Sequence, residues 1–352
     1  MVKIGVIGCG YWGPNLIRNF SSIEECQVLW CSDLREERLN HMKQLYPDIK
    51  TTKNYMDIIN DKNVDAVAIA TPVSMHFEQA KMALLGNKHV LIEKPMTNNV
   101  NDAEELIKIA EKNNKVLMVD HTFEYAPAVN KIREIIESNE LGKILTIDMI
   151  RVNLGLFQKD INVIWDLAPH DISILLFLLK KMPASVKAEG MDYIQKSIVD
   201  DAHLTLKFHE EIMVHMHISW LDPLKIRKIT IVGNKKMLVY DDTEQREKIR
   251  IYDKGVALEK NNVPKDKYYD TWEDFKLVYR SGEIYAPKID DKEPLNVMCR
   301  HFIDCIKTGK KPISDGNSGL KVIKVIESLQ ESLRNHGKEV IIDAVDFQSN
   351  NP

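Results

Sequence analysis

The chain has 352 residues, 44% of them hydrophobic, and a formal net charge of −4 at neutral pH. That length suits two domains with cores of their own, and the mild negative charge excludes a surface built for nucleic acid. The longest apolar stretch, Ile174 to Leu179, falls far short of the roughly 20 residues that span a bilayer, and no charged leader precedes the first strand-like run, so a cytoplasmic location is expected.

The apolar run Val2 to Ile7 leads into Gly8-Cys9-Gly10-Tyr11-Trp12-Gly13 and then a helix-like segment. This is Gly-x-Gly-x-x-Gly in the strand-to-helix setting that gives the pattern meaning. The first glycine permits the turn, the second lets backbone approach a pyrophosphate, and the third lets helix pack on strand. Tyr11 and Trp12 lie in the same turn. A second strand, Gln27 to Ser32, ends at Asp33-Leu34-Arg35, with Asp33 twenty residues beyond Gly13. An acid at that distance accepts hydrogen bonds from an adenosine ribose and repels a 2′-phosphate, which favours NAD over NADP. Arg35 softens that preference, since it can pair with a phosphate, and Asp33 also suits the start of a helix near Arg35.

Val64 to Ala70 ends in Thr71-Pro72-Val73-Ser74-Met75-His76, with small polar groups at the strand end and Ser74 placed to cap the helix that carries His76. His89 to Ile92 ends in Glu93-Lys94-Pro95. Ligands of such sheets lie beyond the carboxyl ends of the strands, so Lys94 points at a cofactor, and a cis bond before Pro95 would aim it. Alone, the tripeptide reads as a solvated loop. Val116 to Val119 ends at Asp120-His121. Alternating strands and helices over residues 1–124 therefore predict a doubly wound parallel sheet, an α/β domain of the Rossmann type.

Residues 125–352 read as a second, α+β domain, whose final helices can return to the first. Trp165-Asp166-Leu167-Ala168-Pro169-His170-Asp171 leads into a buried helix through Lys180; with Pro169 confined to the first turn, that helix begins near Asp166 or Leu167. Asp166 and His170, four apart, share a face. They read either as a cap and a core histidine or as a carboxylate orienting an imidazole base; Asp171 faces elsewhere and reads as structural. Ile144 to Asn153, Ala202 to Phe208, Ile212 to Trp220, Ile226 to Val232 and Lys236 to Tyr240 read as strands joined by turns such as His209-Glu210-Glu211 and Gly233-Asn234, hence an antiparallel sheet. His215 and His217 share one strand face. No third ligand has matching spacing, so no metal is assigned and the face is read as a subunit interface. Five cysteines, odd in number and without Cys-x-x-Cys, read as reduced buried thiols. Lys260 to Lys267 reads as an exposed loop, and the tail after Phe347 as polar.

Together, the glycine fingerprint, Asp33, Glu93-Lys94-Pro95 and the Asp166/His170 pair resemble the glucose-fructose oxidoreductase, inositol dehydrogenase and rhizopine-catabolism (Gfo/Idh/MocA) family over nearly the whole chain. The resemblance implies a Rossmann domain and a C-terminal domain with a large open sheet, one face for substrate and the other for subunit contacts in a homodimer or homotetramer. It implies NAD(P)-dependent hydride transfer at a hydroxyl of a sugar, cyclitol or nucleotide sugar. The family's catalytic lysine falls on Lys94 and its Asp-x-x-x-His pair on Asp166 and His170. Two departures stand out: Asn162-Val163-Ile164-Trp165 replaces a glycine run seen in many members, and Glu124 stands where many have arginine, three residues before Pro127. The segment Ser219 to Arg227, with Asp166 to Ile174, looks like a branch found with nucleotide-sugar genes.

The expected cofactor contacts are Gly8, Gly10, Tyr11, Trp12, Gly13, Asp33, Leu34, Arg35, Thr71, Pro72, His76, Glu93, Lys94 and His121. Substrate is expected between the domains, against Tyr125, Arg151, Asn153 and Lys159-Asp160, with Lys94, Asp166 and His170; Arg227 and Lys225 suit a diphosphate or structural ion pairs. Lys94 holds the reacting oxygen and His170 takes the proton, or Lys94 itself is the base. Two other functions fit the same residues: glycoside cleavage through transient oxidation by held NAD, and a non-catalytic NAD-binding regulator.

Overall fold

The computed structural model describes residues 1–159, 161–209, 211–258 and 277–342. The expectations for Asp160, Glu210, the loop Lys260 to Lys267 and the tail after Phe347 lie outside these. The chain divides into two compact units: one of residues 1–129, 164–180 and 291–331, the other of 130–163, 181–290 and 332–352. The first unit thus gathers three segments.

In the first unit, β1 (Val2–Ile7), α1 (Gly13–Ser21), β2 (Cys26–Ser32), α2 (Glu36–Leu45), β3 (Lys50–Thr52), α3 (Met56–Asn60), β4 (Ala66–Ile69), α4 (Val73–Leu85), β5 (His89–Ile92), α5 (Val100–Lys112) and β6 (Leu117–Val119) follow in order. The strands pair in parallel as β3-β2-β1-β4-β5-β6. β4 is buried along its whole length, and β1 and β5 nearly so, because helices cover both faces of a parallel sheet. The short polar strand β3 carries no apolar run, which is why sequence reading passed over it. Strand order reverses between β1 and β4, and ligands of open α/β sheets bind outside the strand ends at that switch point. Ser74 does not cap α4: Pro72 stands before the helix and Ser74 lies inside its first turn.

Next come α6 (Pro127–Glu137), β7 (Ile144–Leu154), α7 (Val163–Leu179), β8 (Ser185–Met191), β9 (Asp201–Lys207), β10 (Met213–Ser219), β11 (Leu221–Gly233), β12 (Met237–Asp241), β13 (Ile249–Leu258), β14 (Leu277–Tyr285), α8 (Pro294–Thr308), α9 (Gly316–Arg334) and β15 (Val340–Ile341). α8 belongs to the first unit and packs on α1, with Phe20 and Phe302 edge to face at 6.2 Å, both fully buried. Burying one such ring is worth about 1.5–3 kcal/mol.

The second unit is built on a nine-stranded sheet in the order β14-β13-β12-β11-β7-β10-β9-β8-β15. Its pairings are antiparallel except β7 with β10, which run parallel. The α/β plus mostly antiparallel architecture is as expected from the sequence.

One boundary differs usefully. α7 starts at Val163, so Pro169 lies inside the helix and not in its first turn. An interior proline costs about 3 kcal/mol. The helix continues upstream because Val163, Ile164 and Ala168 are fully buried, and packing outweighs local preference.

Candidate active site

The glycine turn between β1 and α1 is shaped by contacts that only glycine permits. Gly8 has φ +96°, and a Cβ there would lie 2.5 Å from the Ala70 carbonyl oxygen; at Gly13 it would lie 1.9 Å from that of Gly8. At Gly10 the nearest atom would be Arg35 Nη2 at 3.8 Å, an ordinary contact distance, so crowding does not demand the second glycine. Tyr11 and Leu34 are 80% and 83% exposed, and Trp12 lies edge-on to Tyr11.

Asp33 ends β2 with both oxygens engaged. Oδ2 accepts from Cys9 N–H at 2.9 Å and Arg35 Nη2 at 3.1 Å, and Oδ1 from Arg35 N–H and Nε at 3.0 Å. Burial pushes this carboxyl up, but the Arg35 fork and the two backbone N–H groups outweigh it and hold the pKa below the usual carboxylate range. A carboxylate therefore stands at the end of β2, with a guanidinium on top of it.

At the ends of β4 and β5, His76 is a strut. Its buried ring lies between two carbonyls, Nδ1 2.9 Å from Pro95 O and Nε2 2.8 Å from Thr71 O. Burial lowers its pKa despite those acceptors. Thr71 Oγ1 donates in turn to Gln79 Oε1 at 2.6 Å. His76 reaches no surface; it ties the Thr71-Pro72 loop to the loop that holds Lys94.

The Lys94-Pro95 peptide bond is cis. Lys94, its side chain 13% exposed, donates from Nζ to the main-chain oxygen of Asp166 at 2.7 Å and approaches Asp166 Oδ1 at 3.4 Å. Pro169 has no N–H to offer the turn before it and its ring crowds that turn's carbonyls; Lys94 meets the helix there. His170, one turn after Asp166, lies edge-on to Phe123 at 5.3 Å between centroids. Lys94, Asp166 and His170 all belong to the first unit.

Beneath Lys94 lies a group that sequence reading had only in part. Glu93 and Asp120 are buried carboxyls at the ends of β5 and β6, and they lie against each other. Burial raises both, and for Glu93 the neighbouring Asp120 charge adds to the rise. Asp120 Oδ1 accepts from Thr122 Oγ1. Glu93 Oε1, Asp120 Oδ2 and both nitrogens of His121 have no hydrogen-bond partner in the protein. Burial and the Lys94 charge push His121 down to about 3, leaving it neutral. Asp120 was visible only as a strand end; its pairing depends on β5 and β6 being neighbours, which no local pattern states.

Tyr125 is not brought to this site. A 3₁₀ turn, Thr122–Tyr125, directs it into the core, 4% exposed, where its hydroxyl is 2.9 Å from Ser314 Oγ. In the second unit, Arg151 is buried on β7 and stands opposite Arg227 of β11. Arg227 pairs with Asp242 at 3.4 Å, and Tyr240 and Lys248 engage the same carboxylate. Arg227 thus serves an ion pair. Asn153 is half-buried near the end of β7, and Lys159 is exposed.

Residues 2–121 match the family model described as an oxidoreductase family with an NAD-binding Rossmann fold, and residues 129–239 match the Gfo/Idh/MocA C-terminal domain. The chain belongs to the Gfo/Idh/MocA oxidoreductase family. Within it, the chain is 25% identical over 351 residues to a myo-inositol 2-dehydrogenase of Thermotoga maritima, covering 94% of this chain and 96% of that one. It is 29% identical over 214 residues to a UDP-N-acetylglucosamine 3-dehydrogenase of Acidithiobacillus ferrooxidans, 58% of this chain and 63% of that one. The solved structure of UDP-N-acetylglucosamine 3-dehydrogenase GnnA from that organism has the same fold, with a TM-score of 0.78 at 22% identity, covering 95% of this chain and 98% of that one. No helix among the described residues is long and apolar enough to cross a membrane.

The residues present fit the family's dinucleotide. Uncrowded backbone at Gly10, the N-terminus of α1, a carboxylate at Asp33, and unpartnered polar atoms on Glu93 and His121 all lie at the carboxyl ends of the sheet.

Proposed function

We propose that this chain is an NAD-dependent dehydrogenase acting on a secondary hydroxyl of a sugar, foremost a nucleotide sugar, or of a cyclitol. The observation that carries the reading is Lys94, held on Asp166 at the end of β5 with His170 one helical turn away.

Bound nicotinamide would supply the hydride acceptor or donor. The chain's own residues would do the rest. Lys94 donates to two oxygens of Asp166. Lys94 is therefore suited to donate to the substrate oxygen and stabilise charge that develops on it, while His170 accepts the hydroxyl proton. Asp166 positions both, through its carbonyl toward Lys94 and as the residue one turn before His170. The buried Glu93–Asp120 pair stands next to Lys94 in the fold, and burial pushes both carboxyls toward the neutral form.

NAD is favoured over NADP because the Asp33 carboxylate stands at the ribose position and Arg35 is already engaged by it. The identified relatives support the substrate class: one acts on myo-inositol and another on UDP-N-acetylglucosamine. A cytoplasmic homodimer or homotetramer, joined through the C-terminal sheet, belongs to the same proposal.

The test is absorbance at 340 nm with NAD and a panel of UDP- and dTDP-sugars, inositols and free aldoses. NADH formed in proportion to substrate is expected. Glycoside cleavage without net reduction, or NAD binding without turnover across the panel, would overturn the dehydrogenase reading.

A further inference from the structure

The sheet of the second unit carries a group of side chains that the dehydrogenase chemistry does not use. β9 and β10 run antiparallel with His203 opposite His217 and Asp201 opposite Ser219. Alternation buries Ala202, Leu204, Val214, Met216 and Ile218 and turns the other face, with Asp201, His203, His215 and His217, outward. A histidine directly opposite another on a pleated face brings the two rings into contact. Here they are stacked, 4.2 Å between centroids and 8° from parallel.

Both oxygens of one carboxylate face these rings. His217 Nε2 is 3.1 Å from Asp201 Oδ2, and His203 Nε2 is 3.9 Å from Asp201 Oδ1. One donor atom from each of the three residues lies within 4.8 Å of the other two. A hydrogen bond to Asp201 accounts for His217 alone; it does not account for His203, laid parallel to it and facing the second oxygen at a distance too long for hydrogen bonding. His215, two residues along the strand, is outside the group and lies 3.4 Å from Thr205 Oγ1.

We propose that Asp201, His203 and His217 form a binding site for a divalent transition-metal ion of the zinc class. Ligands about 2.0–2.2 Å from a tetrahedral zinc stand about 3.4 Å from one another; His217 Nε2 is 3.1 Å from Asp201 Oδ2, and the three donors lie within 4.8 Å of one another. Binding one ion requires the two imidazoles to turn out of their parallel stack, which the exposure of His203 allows. Two imidazoles and a carboxylate select zinc, cobalt, nickel or copper over magnesium and calcium, whose preferred shells are all oxygen. Three protein ligands leave a fourth position for water or for Glu189, which stands opposite His203 on β8. The sequence suggested a His-x-His pair of 215 and 217; the sheet register instead couples His217 to His203 on the preceding strand.

The experiment is calorimetric titration of the full chain with zinc chloride after chelator treatment, alongside His203→Ala, His217→Ala and His215→Ala. All five cysteines are buried, which limits competing thiol sites. Saturable binding of one zinc per chain is expected, weakened about tenfold or more in His203→Ala and in His217→Ala and unchanged in His215→Ala. Far-UV circular dichroism of the metal-free variants checks that each is folded, and His203, with 69% of its side chain exposed, can be removed without a packing cost. Absence of stoichiometric binding, unaltered affinity in His203→Ala, or equal loss in His215→Ala would overturn the site.

Discussion

Lys94 is bonded more closely to the main chain of Asp166 than to its carboxylate, 2.7 Å against 3.4 Å. A main-chain contact survives replacement of the acid side chain, so Lys94 and the Asp166 carboxylate can be separated by mutation.

Lys94→Ala should retain NAD binding, measured by fluorescence quenching, and lose kcat by about a hundred- to a thousandfold, the cost of removing one donor to a developing oxyanion. Asp166→Asn should keep Lys94 in place and act mainly through His170, shifting the pH profile of kcat. Wild-type turnover in Lys94→Ala would sink the site.

Cofactor choice should turn on Asp33. In Asp33→Ser the repelling carboxylate is gone and Arg35 is released, so the ratio of kcat/KM for NADP over NAD should rise about tenfold or more, about 1.4 kcal/mol. An unchanged ratio would show that the ribose is read elsewhere.

His121 should make stability depend on pH. Its pKa is about 3 when folded and about 6.5 when unfolded, so between those values the unfolded chain binds more protons and stability falls as pH falls. The slope from this group is about 1.4 kcal/mol per pH unit below 6.5. Urea unfolding of the cofactor-free protein at pH 7, 6 and 5 should show a shallower fall in His121→Gln than in wild type; parallel curves would contradict a buried neutral ring.

Phe302→Ala should destabilise the first unit by about 3–5 kcal/mol, because the ring is fully buried against Phe20 and its removal leaves a cavity. A loss under about 1 kcal/mol in urea unfolding would mean that α8 does not carry the packing assigned to it.

The strands of the first unit other than β3 were legible because each is an apolar run; β3, Lys50–Thr52, is polar and was passed over. Val2 to Ile7 and His89 to Ile92 match the observed strands to the residue. The glycine turn and Asp33 were legible for the same reason: their spacing is set by a single strand-turn-helix-strand unit. What was not legible depends on neighbours distant in sequence. Asp120 acquires its meaning from Glu93 on the adjoining strand, Tyr125 is drawn inward by Ser314, and α7 runs through Pro169 because its upstream residues are buried. His217 finds Asp201 and His203 through a register that β9 and β10 set jointly.

The first unit's assembly from residues 1–129, 164–180 and 291–331 bears on how such a protein can be recombined. A single crossover between positions 130 and 163 would inherit the glycine turn and Lys94 from one parent and Asp166 with His170 from the other. Residues that must meet within ångströms would then come from separate lineages. A donor of cofactor specificity can be grafted through the first segment alone, but a donor of catalytic geometry has to supply the first two together, and Phe302 with them if the graft is to keep its cover over α1.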